Sequence, residues 1–500
     1  MMYNFPGELK TGLRTAAIMV LFGLTACQSP DSGSTTPGKV DAAAPRPNIV
    51  LIYADDMGWG DINAYNPDSR IPTPSLDALA ADGIIFADAH SSSAVCTPSR
   101  YSLLTGRYSW RTSLKSGVLN GRSPLLIETE RETLADMLKR AGYNTMMIGK
   151  WHLGMGVDEP NYAGSLSPGP NQLGFDYFFG IPASLDHEPY VLVENDRVTT
   201  PLTGKTIARS GMRRGGGEGF WREGEIGEGF VHAEVLPTLA RKAVEKIEEV
   251  ASDDKPFFLY LPLTSPHTPW LPTEEFRGIS GAGYYGDFVA QTDGVVGMVM
   301  QAIHVAGIAG DTIVIYSSDN GAHWKPEDIE SYGHRANGSW RGQKADIYEG
   351  GHRVPLIIRW PGRVLAGSSS DALVVLNDIM ATIADIVDVE LGNGTAPDSF
   401  DFSGVLLSSG SAEHNRPAVV HHSHRGRYAV RQGDWKLVEG LGSGGFSRPQ
   451  DVDPEPGQIP YQLYNLAEDP AETTNVADDD PERVAELLAV LNQIRDAEGE

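Results

Sequence analysis

Two cysteines stand in this chain of 500 residues. One of them, Cys96, lies in the run Ser93-Ala94-Val95-Cys96-Thr97-Pro98-Ser99-Arg100, where a reactive side chain, a proline and an arginine share one turn of chain. Elsewhere, four short apolar runs end abruptly in polar side chains. Asn48–Tyr53 leads into Asp55-Asp56, Asn144–Ile148 into Lys150 and His152, Phe257–Leu261 into Ser265-Pro266-His267, and Thr312–Tyr316 into Asp319-Asn320. Adjacent carboxylates at a strand end repel one another unless a cation lies between them, and a histidine exchanges protons near neutral pH. Any one of these groups could be a turn or a cap, since Asp-Asn-Gly is ordinary turn chemistry. Four such groups arriving after four strands point to a shared site.

The elements that must position these residues alternate strand and helix, which is the α/β pattern. Open α/β sheets bind ligands beyond the carboxyl ends of their strands, which is where the polar groups fall. Ser75 is placed to cap a helix over Leu76–Asp82, with Gly83 as its stop. Pro98 reads as the first turn of a helix. Further helices are expected over 134–141, 234–251, 288–305 and 376–387. The polar loop Arg341–Gly351 precedes a strand over Val354–Trp360. Residues 160–230, rich in Gly, Pro and turn residues and containing Arg213-Arg214-Gly215-Gly216-Gly217, read as a long mobile surface loop. From about residue 415 the pattern changes to short antiparallel strands (428–431, 435–438, 461–464) and a final amphipathic helix capped by Asp480-Pro481. The expectation is a large, mostly parallel mixed sheet sandwiched by helices, over residues 47–414, with a smaller α+β subdomain over 415–500.

Composition excludes some functions. A net charge of −26 argues against nucleic acid as a partner, because a phosphate backbone selects Lys and Arg density. An anion site would have to be a local basic pocket or hold a metal. The 56 glycines and 33 prolines fit a loop-rich α/β frame. At the N-terminus, Lys10 and Arg14 precede a short apolar run, Ala16–Leu24, that ends in Leu24-Thr25-Ala26-Cys27. This pattern resembles a bacterial lipoprotein cleavage box. It predicts a signal peptide over 1–26, lipidation at Cys27 and a flexible tether over 27–46, with anchoring on the outer membrane through lipid alone. Cys96 is then left unpaired, and an unpaired cysteine in an exported protein needs a reason. A buried apolar role is disfavoured by its polar, turn-forming neighbours.

The run Cys96-Thr97-Pro98-Ser99-Arg100 matches the Cys-x-Pro-x-Arg signature of the formylglycine-dependent sulfatases, and Thr105-Gly106-Arg107 matches a block that follows it there. Asp55–Asp61, Gly149–Gly154, Ser318–Gly321 and Lys344–Gly351 also resemble family blocks, in family order. The resemblance implies an alkaline phosphatase-like fold and a sulfuric ester hydrolase. It implies that Cys96 is oxidised to formylglycine by a formylglycine-generating or anaerobic maturation enzyme, and that its gem-diol attacks sulfur to give a covalent sulfo-enzyme. Asp55, Asp56, residue 96, Asp319 and Asn320 would hold one divalent cation; oxygen donors without clustered His or Cys point to calcium rather than zinc. His267 would be the general acid and His152 the acceptor of the second diol proton. Arg100 and Lys150 would hold the residue 96 oxyanion, and Lys344 a sulfate oxygen.

The expected substrate is a sulfated carbohydrate, in the context of polysaccharide degradation, with galactose or N-acetylgalactosamine sulfates favoured by analogy. Asp186 and His187 are candidate substrate contacts. Trp151 and Trp270 are placed either to stack on a sugar or to pack. His421-His422-Ser423-His424 reads as a strand or loop edge rather than a metal tract. Two alternatives stay open: a phosphonate monoester or phosphodiester hydrolase of the same fold, and a catalytically silent sugar-binding lipoprotein.

Overall fold

A computed structural model describes residues 46–209, 220–408, 410–412, 414 and 416–497. The signal peptide, Cys27, almost all of the tether and the Arg213–Gly217 run lie outside the described residues. Ten strands form the main sheet: β1 (Asn48–Asp55), β2 (Ile84–Phe86), β3 (Asn144–Lys150), β4 (Tyr177–Ile181), β5 (Val193–Glu194), β6 (Arg197–Val198), β7 (Phe257–Pro266), β8 (Thr312–Ser318), β9 (Leu356–Arg359) and β10 (Ser368–Ser370). Their spatial order is β10-β2-β9-β8-β1-β7-β3-β4-β5-β6. The centre, β8-β1-β7-β3-β4, is parallel, whereas β9 runs antiparallel to both β8 and β2.

The two-residue side-chain period of β1 divides the core. Ile49, Leu51 and Tyr53 face a layer that contains helices α2 (Cys96–Thr105), α3 (Leu134–Arg140) and α6 (Ile379–Ile386). Val50, Ile52 and Ala54 face the opposite layer, with α1 (Pro74–Ala81), α4 (Val235–Val250) and α5 (Gly283–Val305). Each fully buried aliphatic side chain contributes about 1.5–3 kcal/mol, so the sheet ends that carry polar groups are held by apolar strands on both faces. The C-terminal sheet, β11 (Val419–His422), β12 (Tyr428–Gln432), β13 (Trp435–Glu439) and β14 (Tyr461–Asn465), is antiparallel throughout. One face packs on α7 (Pro481–Asp496) with Tyr108 and Trp110. The other packs on Ile347 and Tyr348, next to the Lys344 loop. No described helix is long and apolar enough to cross a membrane.

Several local expectations are corrected. Residues 160–230 are not one surface loop: Tyr177–Ile181 is an apolar run that joins the main sheet as β4, and 202–206 pairs with 224–227. α2 starts at Cys96 itself, two residues before Pro98. Thr73, not Ser75, precedes α1, because Pro74 supplies the first helical residue; the amides of Ser75 and Leu76 donate to Asp293 instead. α5 begins at Gly283, five residues before Phe288. Cys96 is buried despite its polar neighbours, since those neighbours are buried with it.

Candidate active site

The carboxyl ends of β1, β3, β7 and β8 converge with the first residue of α2. Close strand packing sets this up. Gly149, at φ 145°, lies so near Pro262 that a Cβ there would fall 1.8 Å from the Pro262 carbonyl oxygen, and a Cβ on Gly180 would fall 1.7 Å from the Gly149 oxygen. Glycine is the residue that permits such approach, and the next residue, Lys150, is thereby delivered beside Asp55. Lys150 Nζ donates to Asp55 Oδ2 at 2.7 Å and to Ser184 Oγ at 3.3 Å. The bond from Asp56 N–H to Asp319 Oδ1, at 3.1 Å, stitches β1 to β8. Asp56 and His152, with φ of 66° and 59°, hold left-handed backbone. Non-glycine residues pay about 1–3 kcal/mol for such conformations, which concentrate at functional sites.

Cys96 Sγ lies 3.5 Å from Asp55 Oδ1 and 3.5 Å from Lys344 Nζ. Burial, then Asp319, pushes its thiol well above the usual range. Reactive cysteines are partly exposed with lowered pKa; Cys96 is the opposite, a neutral thiol at neutral pH. Burial also raises the Asp55 carboxyl, but Lys150, His267, Arg100 and Lys344 together outweigh it and hold Asp55 well below the usual carboxylate range. Arg100 directs its guanidinium at Asp319 Oδ2, through Nε at 3.0 Å and Nη2 at 2.7 Å, with Asp55 Oδ1 at 3.5 Å. Its fork is engaged by carboxylates. Lys344 donates to Asp56 Oδ2 at 2.8 Å.

The two histidines are oriented differently. His152 Nε2 meets the Leu119 carbonyl at 2.8 Å, which makes Nε2 the protonated nitrogen and leaves Nδ1 a bare, buried lone pair without a partner. Burial and Lys150 hold this imidazole well below its usual pKa, so it is a neutral base. His267 Nδ1 faces the Thr268 carbonyl at 2.5 Å and Ser184 Oγ at 3.2 Å, while Nε2 lies 3.7 Å from Asp56 Oδ2. His267 and Lys344, 8% and 7% exposed, are the groups nearest solvent, whereas Arg100 and Lys150 are fully buried.

Oxygen donors fit a hard divalent cation here. Atoms of Asp55, Asp56, Cys96 and His267 lie within 4.8 Å of one another. Asn320 donates its amide N–H to Asp56 Oδ1 at 2.7 Å, and its Oδ1 is buried with no partner. An orphaned acceptor of this kind calls for an explanation, and a cation supplies one. Asp319 belongs to the same cluster through Arg100 and the Asp56 amide. The structure therefore brings Asp55, Asp56, Cys96, Arg100, Lys150, His267, Asp319, Asn320 and Lys344 together, with His152 behind them.

Asp186 and His187 stand at the edge. Asp186 is buried and salt-bridged to Arg222 at 2.7 Å, and the His187 ring lies 5.9 Å from that of His152. Trp151 is buried and bonded to the Gly154 carbonyl, and Trp270 packs on Tyr285 and Trp324, so both act as packing residues. Ser184, which bridges Lys150 and His267, was not singled out from the sequence; a serine within an apolar stretch carries no motif.

The model of the family described as Sulfatase matches residues 47–389. An N-acetylgalactosamine-6-O-sulfatase from Bacteroides thetaiotaomicron is 34% identical, with 90% of this chain and 93% of the relative covered. Human arylsulfatase A is 34% identical, with 91% and 88% covered. A solved Bacteroides thetaiotaomicron sulfatase, reported in connection with the metabolism of multiple glycosaminoglycans, superposes with a TM-score of 0.80 at 33% identity, covering 90% of this chain and 99% of that one. A family-wide match of this extent, laid over a buried Cys96 ringed by carboxylates and cations, leads to one conclusion: the chain belongs to the sulfatase family, the sulfuric ester hydrolases.

Proposed function

We propose that this chain removes sulfate from a sulfated glycan, with a 6-O-sulfated N-acetylgalactosamine or galactose unit as the favoured substrate. It would do so through a Cys96-derived formylglycine and with calcium held by Asp55, Asp56, residue 96, Asp319 and Asn320. The observation that carries the reading is the environment of Cys96: a neutral, buried thiol set between Asp55 and Lys344 is poorly suited to thiolate chemistry and well placed for an oxygen nucleophile. Maturation is a two-electron oxidation at Cβ with sulfur lost as sulfide, performed by a separate enzyme using dioxygen or a radical cofactor. The sugar assignment is supported by the N-acetylgalactosamine-6-O-sulfatase likeness. Export and lipidation at Cys27 are supported by the sequence box alone.

When bound, calcium would neutralise a sulfate oxygen and favour the ionised nucleophile. The chain's own residues would do the rest. Lys344, at the solvent side, receives a sulfate oxygen as it exchanges its contact with Asp56. Lys150 and Arg100 set the charge of Asp55 and Asp319. His267, whose Nδ1–H stays bonded to Thr268, would take up a proton on Nε2 against the burial that lowers its pKa, a lowering that Asp56 and Asp55 oppose, and deliver it to the departing sugar oxygen. His152, with Nδ1 bare, accepts the hydroxyl proton at residue 96. Mass spectrometry of the Cys96 peptide, from cells that carry the maturation machinery, tests the nucleophile. An aldehyde in place of the thiol is expected; finding only the thiol overturns the assignment.

A further inference from the structure

Beside the active site the surface opens into a cleft of about 560 Å³, within the size range of small-molecule sites. Its walls are the turn at Ser116-Gly117, the pair His424-Arg425 that follows β11, and the loop that carries Phe446. Phe446 is 38% exposed, the one Phe, Tyr or Trp exposed to that degree among the described residues. Its ring contacts His323 and His424, with centroids 5.2 and 5.6 Å away. Leaving an aromatic ring in water forgoes the stabilisation of burial, so this ring has capacity for a ligand.

The chain fixes the ring beside Lys344. The Lys344 N–H donates to the Ala322 carbonyl at 3.0 Å, and His323 is the next residue after Ala322. After the lysine, Ala345 holds left-handed backbone at φ 79°, and its carbonyl accepts from the His424 N–H at 2.9 Å. Asp346 Oδ1 then accepts from the N–H groups of Phe446 at 2.7 Å and Ser447 at 2.9 Å. Gly445 packs so closely that a Cβ would fall 2.2 Å from the Ala345 oxygen, an approach that glycine permits. Residues 344–346 therefore tie His323, His424 and Phe446 to the lysine that faces solvent. Burial, and then the charge of Lys344, lowers the His424 pKa, which is consistent with that proximity. The Ser116-Gly117 turn is anchored to the same place: the Gly117 N–H donates to the His424 carbonyl at 2.8 Å, and Leu119, two residues on, orients His152. The cleft thus adjoins the site on its Lys344 side. Asp186 and His187 follow Ser184, which Lys150 contacts, and so flank the site from the Lys150 side.

We propose that this cleft is a subsite for the sugar next to the sulfated one, with Phe446 as its stacking platform and His424 and Arg425 as polar partners. The proposal rests on the sulfated-glycan reading and names a second unit of that substrate. A pyranose presents C–H bonds on its faces and hydroxyls around its rim. Stacking one face on Phe446 takes apolar surface of both partners out of water. The rim would meet groups suited to hydroxyls. His424 Nδ1 is buried with no partner, and Arg425 bonds Asp451 at 2.6 Å and Gln450 at 2.9 Å while carrying five N–H donors. Arg425 and Arg427 share the single carboxylate of Asp451, which leaves this trio cationic and suited to an acidic glycan.

The test uses the matured, calcium-loaded full-length protein and two saccharides: 6-O-sulfated N-acetylgalactosamine alone, and a disaccharide in which that unit is linked to a second sugar. An aryl sulfate serves as control. The parent protein should show the lower KM for the disaccharide. In F446A, the disaccharide KM should rise about 3–10-fold relative to that of the monosaccharide, the size of one aromatic contact. The effect should fall on KM rather than kcat, because it removes binding common to ground and transition states, and F446W should restore it. Equal changes on both saccharides would mark a structural role and overturn the subsite. So would a parent protein that takes the disaccharide no better than the monosaccharide, a comparison that needs no variant. Sulfate release from the aryl sulfate but from neither saccharide would overturn the glycan reading, and the subsite with it.

Discussion

Glu349 and Asp55 are both buried carboxylates among cations, yet the clusters around them are finished to different degrees. Glu349 is held by Lys436 at 3.0 Å and Arg353 at 2.8 Å, its own N–H donates to Glu472 Oε2 at 2.7 Å, and Lys436 reaches Glu472 at 2.8 Å. These contacts pin the C-terminal sheet to the loop that supplies Lys344. Around Asp55 the pairing is as dense, but Asn320 Oδ1 and His152 Nδ1 are left without partners, and Lys344 and His267 reach the solvent edge. Glu349, Lys436 and Glu472 join two parts of the fold and lie wholly inside it, whereas the Asp55 cluster opens to solvent through Lys344 and His267. Changes in the closed cluster should therefore act on stability, and changes in the open one on rate.

The sharpest way to break this contrast is Lys436→Met. It leaves Glu472 without its cation and Glu349 with Arg353 alone, and loss of one partner from a buried ion pair costs about 3–5 kcal/mol. The urea midpoint should fall accordingly, with sulfate release per folded molecule little changed; an unaltered midpoint would mean the cluster is not structural. His267→Gln should do the reverse. The unfolding midpoint should hold, while hydrolysis of a sugar sulfate falls by about 10²–10⁴-fold, the range for a lost general acid. An aryl sulfate with an acidic phenol should lose far less, and equal losses on both substrates would argue against the acid role.

A smaller effect is expected at His232, which belongs to neither cluster. It lies stacked on Trp221 with its Nε2 buried and unpartnered, and burial brings its pKa down to about 4. Between about 6.5 and that value the unfolded chain binds the extra proton, so stability falls as pH drops through the window, by at most about 3 kcal/mol. Urea midpoints taken at pH 7.5 and 4.5 should differ in that direction, and His232→Phe should reduce the difference. A pH-independent midpoint in the parent protein would contradict it.

The parts of the molecule readable in advance were those with a local signature. Asn48–Tyr53, Asn144–Ile148, Phe257–Leu261 and Thr312–Tyr316 are apolar runs closed by charge, and they are the strands that deliver the site. Tyr177–Ile181 has the same apolar character but sits among Gly and Pro, and what makes it a strand is the approach of Gly180 to Gly149, a tertiary fact. That Asp55, Asp56, Cys96, Lys150, His267, Asp319 and Asn320 would converge was legible because each follows a strand end or lies in a recognisable block. Their pairing was not: that Arg100 faces Asp319, that Ser184 bridges Lys150 to His267, and that the Leu119 carbonyl sets the His152 tautomer all depend on segments remote in sequence. The Glu349 cluster was invisible for the same reason, since Glu349, Arg353, Lys436 and Glu472 come from separate segments.

The central claim, that Cys96 is the precursor of the nucleophile in a carbohydrate sulfatase, is tested most directly by sulfate release from a defined oligosaccharide ending in 6-O-sulfated N-acetylgalactosamine, with the matured protein and Cys96→Ala side by side. We expect release by the matured protein and a loss of at least about 10³-fold in the variant, with the two unfolding at the same temperature. Release that survives in Cys96→Ala, or a matured protein that turns over phosphonate monoesters more efficiently than any sulfated saccharide, would contradict the account.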